Sequence, residues 1–108
     1  ETLVLQDLRA LNDYLALDYS IHYWRTSAGE EVDFVLYGPR GLVAIEVKRS
    51  ARVRDADLAP LQTFKADYPA ARCWLAYGGR RAFEAGSIEV LPLETLLRRL
   101  PAILDPAP

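Results

Sequence analysis

The sequence predicts an α/β domain in which a mixed β-sheet of about five strands is flanked by helices. Three stretches between residues 20 and 49 alternate apolar and polar side chains with the period of two that is typical of strands. Stretches with apolar residues at helical spacing lie before and after them. A helical stretch between the third and fourth predicted strands requires a crossover, so those two strands are expected to be parallel. The predicted order is α-β-β-β-α-β-β-α.

The chain of 108 residues has the size and composition of one globular domain, since 51% of its residues are hydrophobic and 26% are charged. Its net charge of -2 excludes a protein that binds nucleic acid through overall positive charge. The single cysteine, Cys73, excludes an internal disulfide and a zinc site built from cysteines. No apolar run approaches the roughly 20 residues of a membrane span. No export signal is evident, and we therefore expect a cytoplasmic protein.

Residues 1–18 are expected to form the first helix. Val4, Leu8, Leu11 and Leu15 recur at the spacing of one helical face. Glu1 shares a face with Leu8, because the two positions are seven residues apart. The sequence therefore places a carboxylate on the partly buried side of this helix.

Three strand-like stretches follow, at residues 20–26, 31–37 and 42–49. Short loops that contain Gly and Pro connect them, which is typical of hairpins, so the three strands are expected to be antiparallel neighbours. In the second stretch, strict alternation places Val32 on one face of the sheet with Phe34 and Leu36, and Asp33 on the other face.

The remaining elements are a helix, two strands and a final helix, expected at residues 57–68, 72–77, 88–91 and 92–100. Asp57 is expected to be the N-cap of the middle helix, with Pro60 in its first turn. Pro101 is expected to end the last helix, because proline lacks the N–H that a helix interior uses. Residues 101–108 are then expected to form a loose tail.

Charged side chains stand out at the end of the third predicted strand. Glu46 and Lys48 leave the same face about 7 Å apart, and Asp33 lies on the adjacent hairpin strand. Two neighbouring carboxylates supply the oxygen ligands that Mg²⁺ prefers, and a lysine beside them can orient a water or stabilise charge on a phosphate. An alternative is that these residues are simply the wet face of a strand. The apolar run at residues 42–45 favours a site, because it predicts a central strand buried on both faces.

The sequence resembles a known nuclease superfamily in this region. Residues 29–35, followed by residues 43–48, resemble the PD-(D/E)XK superfamily, which has the restriction-endonuclease-like fold. The segments at residues 23–26, 31–35, 45–48 and 90–93 resemble, more narrowly, a domain of unknown function that lies C-terminal to bacterial and archaeal AAA-type ATPase domains. Val32 replaces the proline of the superfamily's name.

This resemblance implies a set of functional residues. Asp33 and Glu46 would be ligands of Mg²⁺ or Mn²⁺, and Lys48 would be the catalytic lysine. The carbonyl of Val47 would be a third ligand. Many members add a glutamate from the first helix, which Glu1 matches. Some members add a glutamine from the second helix, for which the candidate is Gln62.

Arginines follow the third predicted strand directly, at positions 49, 52 and 54. Arg49, Arg52 and Arg54 are expected to contact the phosphates of a nucleic acid on its path to Lys48. The alternative is that they form an ordinary solvated surface.

The leading functional expectation is Mg²⁺-dependent hydrolysis of phosphodiester bonds in DNA. Because the chain begins on Glu1 without Met, and because of the resemblance, we expect it to be the C-terminal part of a larger protein with an upstream ATPase domain. The alternative is an inactive nuclease-fold module that serves this ATPase by DNA contact or protein interaction. A third expectation is a domain that forms homo-oligomers.

Overall fold

The computed structural model describes residues 2–106. The elements in chain order are α1 (Thr2–Tyr14), β1 (Ser20–Arg25), β2 (Glu31–Gly38), β3 (Gly41–Val47), α2 (Asp55–Asp67), β4 (Arg72–Tyr77), β5 (Phe83–Ala85), β6 (Ile88–Pro92) and α3 (Leu93–Leu104).

The strands form one mixed six-stranded sheet in the order β1-β2-β3-β4-β6-β5. The three strands β1, β2 and β3 are antiparallel neighbours. Helix α2 then crosses over, and β4 pairs parallel to β3. β6 is parallel to β4, and β5 returns antiparallel along its edge. The predicted fold class and the predicted parallel pairing are therefore confirmed.

Helices cover both faces of the sheet. Val4 and Leu8 of α1 pack with Leu96 and Leu100 of α3 in one core cluster. α2 buries its apolar side in the other cluster, through Leu58, Leu61 and Phe64. In the strand order, β3 and β4 lie in the middle of the sheet. Because helices cover both faces there, residues 43–47 of β3 are all buried. This confirms that the third strand is central.

The pairing of β1 with β2 contains an irregularity next to Asp33. His22 pairs with Val35 and Trp24 pairs with Val32, so β2 has one residue more than β1 in this interval. A bulge of this kind shifts which face the following side chains occupy. Val32 accordingly packs in the cluster under α2, whereas Phe34 packs in the cluster under α1 and α3. The prediction that these two residues share a face is wrong.

Helix α1 ends at Tyr14, not at residue 18. Ala16 has a φ of 53°, and the amide of Leu17 donates to the carbonyl of Asn12 at 3.0 Å. This is the helix-ending arrangement in which a residue of left-handed conformation, usually glycine, stops the helix. The sequence has Ala at that position, so the usual glycine signal is missing.

Helix α2 begins at Asp55 rather than at the predicted residue 57. Asp57 is therefore not the N-cap but lies inside the first turn. Its carboxylate accepts a hydrogen bond of 2.9 Å from the amide of Arg54. Pro60 consequently lies beyond the first turn, inside the helix.

The C-terminal part of the chain holds two further differences from the prediction. The short strand β5 was not expected, because three residues are too few to show an alternation. Helix α3 continues through Pro101 to Leu104, so residues 101–104 are helical and not a loose tail. Ile103 and Leu104 are buried, and the hydroxyl of Tyr19 donates to the carbonyl of Leu104 at 2.7 Å. We attribute the continuation to this burial, which offsets the hydrogen bond that a proline cannot make.

Ala16→Gly should stabilise the protein. The substitution relieves an L-residue of its left-handed conformation, and we expect the free energy of unfolding to rise by about 0.5–1 kcal/mol. Urea unfolding measures this change. Ala10→Gly, at an exposed position inside α1, is the matched control and should lower the same quantity by about 1 kcal/mol. A loss of stability in both variants would contradict this description of the end of α1.

Candidate active site

The carboxylates of Asp33 and Glu46 join β2 to β3 where the backbone ladder between these strands stops. The last paired residues are Phe34 and Ile45. Beyond them, the amide of Asp33 donates to Oε1 of Glu46 at 3.0 Å, and the amide of Val47 donates to Oδ2 of Asp33 at 2.9 Å. The structure thus brings the two predicted carboxylates together, each bonded to the backbone of the opposite strand.

At the site, the pairing of β3 with β2 ends, whereas its pairing with β4 continues. Val47 of β3 still pairs with Ala76 of β4, and the amide of Lys48 donates to the carbonyl of Ala76 at 2.8 Å. β3 ends at Val47, so Lys48 follows the strand. The sequence had predicted that Lys48 would lie within it. The carboxylates and the lysine consequently lie at the carboxyl end of a central strand, which is where sites form in α/β sheets.

Glu46 is 4% exposed and is the sole buried charged residue in the part of the chain that the structure describes. Its Oε2 lies 3.3 Å from Nζ of Lys48. The side chain of Lys48 is 35% exposed. Lys48 therefore reaches from a buried carboxylate to the surface, where a substrate phosphate could approach it.

The pKa of Glu46 is raised from 4.5 to about 7. Burial contributes most to this shift, and the neighbouring charge and carboxyl group of Asp33 add to it. The amide of Asp33 and the ammonium of Lys48 act in the opposite direction, but they do not compensate fully. A buried carboxylate beside a second carboxylate favours either a proton or a cation at this position.

Exposed polar residues border the site on the β1 side. The hydroxyl of Tyr23 donates to Oε1 of Glu31, and Nη2 of Arg25 lies 2.7 Å from the same oxygen. The hydrogen bond from Tyr23 contributes most to lowering the pKa of Glu31, and that from Arg25 comes next. Sequence reasoning assigned no role to this cluster. The pairing of Arg25 with Glu31 across the strands is the signal that could have found it.

The structure does not bring the other predicted site residues to Asp33 and Glu46 in the same way. Glu1 lies outside the described residues. Gln62 is exposed on α2, and no hydrogen bond joins it to Asp33 or Glu46 within residues 2–106. Within that same range, no third His, Cys, Asp or Glu joins the two carboxylates in a metal-binding group. The amide of Val47 is bonded to Asp33, and a ligand role for its carbonyl stays a prediction.

The predicted phosphate-binding arginines lie in the loop between β3 and α2. Arg49, Arg52 and Arg54 are all exposed. The end of β4 holds this loop, because the amide of Gly78 donates to the carbonyl of Ser50 at 2.9 Å. A Cβ atom on Gly78 would lie 2.4 Å from the carbonyl oxygen of Arg49. The close approach of the two loops therefore requires glycine at this position.

Comparison with family models matches residues 1–96 to a domain of unknown function, DUF4143. No curated protein and no solved structure matches the chain. Among the helices of residues 2–106, none has the length and apolar character of a membrane span.

The stability of the metal-free protein should depend on the protonation of Glu46. Because its pKa is about 7 in the folded protein and 4.5 ordinarily, the folded state binds more protons between these values, and stability falls as pH rises through them. The loss amounts to at most about 3 kcal/mol. Urea unfolding in EDTA across this pH range measures it. Glu46→Gln should remove this part of the slope.

Glu31→Gln is the control for this measurement, since Glu31 is on the same strand as Asp33 but is bonded to Arg25. Its pKa is lowered, so its contribution is lost as pH falls and it does not generate the slope expected from Glu46. Identical slopes for the unsubstituted protein and Glu46→Gln would contradict a strained carboxylate at this position.

Proposed function

The chain belongs to the DUF4143 family, and we propose that it is a metal-dependent nuclease domain of the PD-(D/E)XK type that hydrolyses phosphodiester bonds in DNA. The observation that carries this proposal is the pairing of Asp33 with the buried Glu46, which in turn contacts Lys48 at 3.3 Å. Continued backbone hydrogen bonding between β2 and β3 would join the strands without burying a carboxylate. The presence of the two carboxylates favours a binding function.

The donor set fits a hard divalent cation. Asp33 and Glu46 would hold Mg²⁺ or Mn²⁺, with the carbonyl of Val47 and, by resemblance, Glu1 as further oxygen ligands. When bound, such a cation polarises the phosphate and lowers the pKa of a bound water. The raised pKa of Glu46 supports this fit, because a cation relieves the repulsion that otherwise favours protonation.

Lys48 is the residue that acts on the substrate in this proposal. Its ammonium is held by Oε2 of Glu46 yet remains partly exposed. From this position it can orient the attacking water and stabilise the negative charge that develops on the phosphate. Asp33 and Glu46 hold the cation, and Glu46 also positions Lys48.

The topology supports the resemblance on which part of the proposal rests. An antiparallel β1-β2-β3 unit is followed by the crossover helix α2 and a parallel strand β4, with the carboxylates on β2 and β3. The same resemblance supports attachment to an upstream AAA-type ATPase domain. DNA cleavage by the domain would then be linked to ATP hydrolysis in the same protein.

A second candidate function is that of an inactive nuclease-fold module, which contacts DNA or proteins for the ATPase. The ion pair between Lys48 and Glu46 favours this candidate, because it partly neutralises the site without a cation. The net charge of -2 also favours it, since it limits duplex binding. The two candidates differ in whether Lys48 is needed for a chemical step.

Lys48→Ala should abolish cleavage of plasmid DNA in Mg²⁺. We expect at least a roughly 100-fold loss of rate, because loss of a group that stabilises the developing charge typically costs that much. Gel electrophoresis of the nicked and linear products measures it. Lys65→Ala is the matched control, because Lys65 lies in α2 and donates to the carbonyl of Ala71, away from the carboxylates. Unchanged cleavage in Lys48→Ala would contradict the role assigned to Lys48. Absence of cleavage in the unsubstituted protein would favour the inactive module.

Metal binding should depend on both carboxylates and on pH. Titration calorimetry with Mn²⁺ should show weak binding, since Mg²⁺-type sites usually keep several waters. Binding should be tighter at pH 8 than at pH 6, because the cation must displace the proton that Glu46 holds near its pKa of about 7. Glu46→Gln should abolish the heat of Mn²⁺ binding, whereas Glu31→Gln should leave it unchanged. Identical isotherms for all three proteins would contradict a cation site here.

A further inference from the structure

Unpaired arginines follow two adjacent strands of the sheet at the edge that holds Lys48. Four exposed arginines in the loops after β3 and β4 have no carboxylate partner among residues 2–106, namely Arg52, Arg54, Arg80 and Arg81. Four of the other exposed arginines are paired with acidic side chains, namely Arg25, Arg40, Arg98 and Arg99. The charge of the four unpaired guanidinium groups is therefore available to an anionic partner.

Two of these arginines line one cavity. Arg52, from the loop after β3, and Arg81, from the loop after β4, line the same cavity of about 450 Å³ with Tyr77 and Phe83. A neighbouring cavity of about 420 Å³ is lined by Arg52 and Arg54. No carboxylate lines either cavity. Arg52 thus connects Arg54 with Arg81 along this edge of the sheet.

The buried side chain of Tyr77 holds Arg81 in place. Its hydroxyl donates to the carbonyl of Arg81 at 2.7 Å and accepts from the amide of the same residue at 3.2 Å. Gly79 lies against the ring, since a Cβ atom there would be 2.2 Å from it. The loop that carries Arg81 is therefore fixed before any ligand binds, which reduces the entropy lost on binding.

We infer that Arg81 is a phosphate-binding residue and that a nucleic-acid backbone follows the carboxyl edge of the sheet from Arg54 through Arg52 to Arg81. The inference rests on the proposed nuclease function, because that function requires the DNA backbone to pass Lys48. Guanidinium groups bind phosphate oxygens in a bidentate manner, and successive unpaired ones match the repeated charges of a phosphodiester chain. Tyr77 acts as a positioning residue in this inference, because its hydroxyl is bonded to the backbone of Arg81.

The test is DNA binding by the full chain in EDTA, where no cleavage occurs. Fluorescence anisotropy of labelled duplex and single-stranded DNA gives the affinity at salt concentrations from about 50 to 200 mM. Arg81→Ala should reduce the slope of log K against log salt by about one and weaken binding several-fold. Tyr77→Phe should weaken binding less, because it frees Arg81 without removing its charge.

Arg40→Ala is the matched control, since Arg40 is an exposed arginine in the turn that precedes β3, at the opposite end of that strand, and is paired with Asp105. It removes the same charge and should leave the slope unchanged. Equal effects of Arg81→Ala and Arg40→Ala would overturn the inference. Competition by polyglutamate as effective as that by DNA would also overturn it and assign the edge to an acidic protein.

The inference and the proposed function fail separately. Binding that depends on Arg81, together with no cleavage in Mg²⁺, supports the phosphate path and contradicts the nuclease. Cleavage that is intact in Arg81→Ala, with unchanged binding, contradicts the path and leaves the nuclease standing. Absence of DNA binding by the unsubstituted protein overturns the path.

Discussion

Two carboxylates replace backbone hydrogen bonds at the point where β2 and β3 separate, and the candidate site depends on this substitution. Asp33 and Glu46 each accept an amide proton from the opposite strand. Those bonds satisfy backbone groups that would otherwise be unpaired. The burial of Glu46, and after it the neighbouring charge of Asp33, raises the pKa of Glu46. A structural arrangement and an electrostatic strain thus come from the same pair of residues.

The surroundings of this pair follow from the topology of the sheet. The bulge in β2 lies in the interval that contains Asp33 and Phe34, where it interrupts the regular alternation of the strand. Beyond Val47, the chain remains bonded to β4, so the loop that follows β3 lies beside the loop that follows β4. Gly78 makes this close approach sterically feasible. The arginines of two separate loops therefore come to the edge of the sheet on which Lys48 lies.

Sequence reasoning placed the central features of the fold correctly because their signals are local and repeated. The hairpin loops fixed Asp33 beside Glu46, and the crossover helix fixed the parallel pairing of β3 with β4. It misplaced Val32, because a bulge leaves no compositional signal and reverses the face of a side chain. It also ended the last helix at Pro101, since propensity does not include the burial of Leu104 against Tyr19. In the same way, the adjacency of loops distant in sequence, which brings Arg81 near Arg52, follows only from the folded chain.

The most direct test of the account is the melting temperature of Asp33→Asn with and without Mg²⁺. This substitution removes one of the two like charges, while its side-chain oxygen can still accept from the amide of Val47. The account predicts a higher melting temperature than that of the unsubstituted protein in EDTA, and no further rise when Mg²⁺ is added. A lower melting temperature in EDTA, with an unaltered response to Mg²⁺, would show that Asp33 stabilises the fold as an ordinary structural residue and would contradict the account.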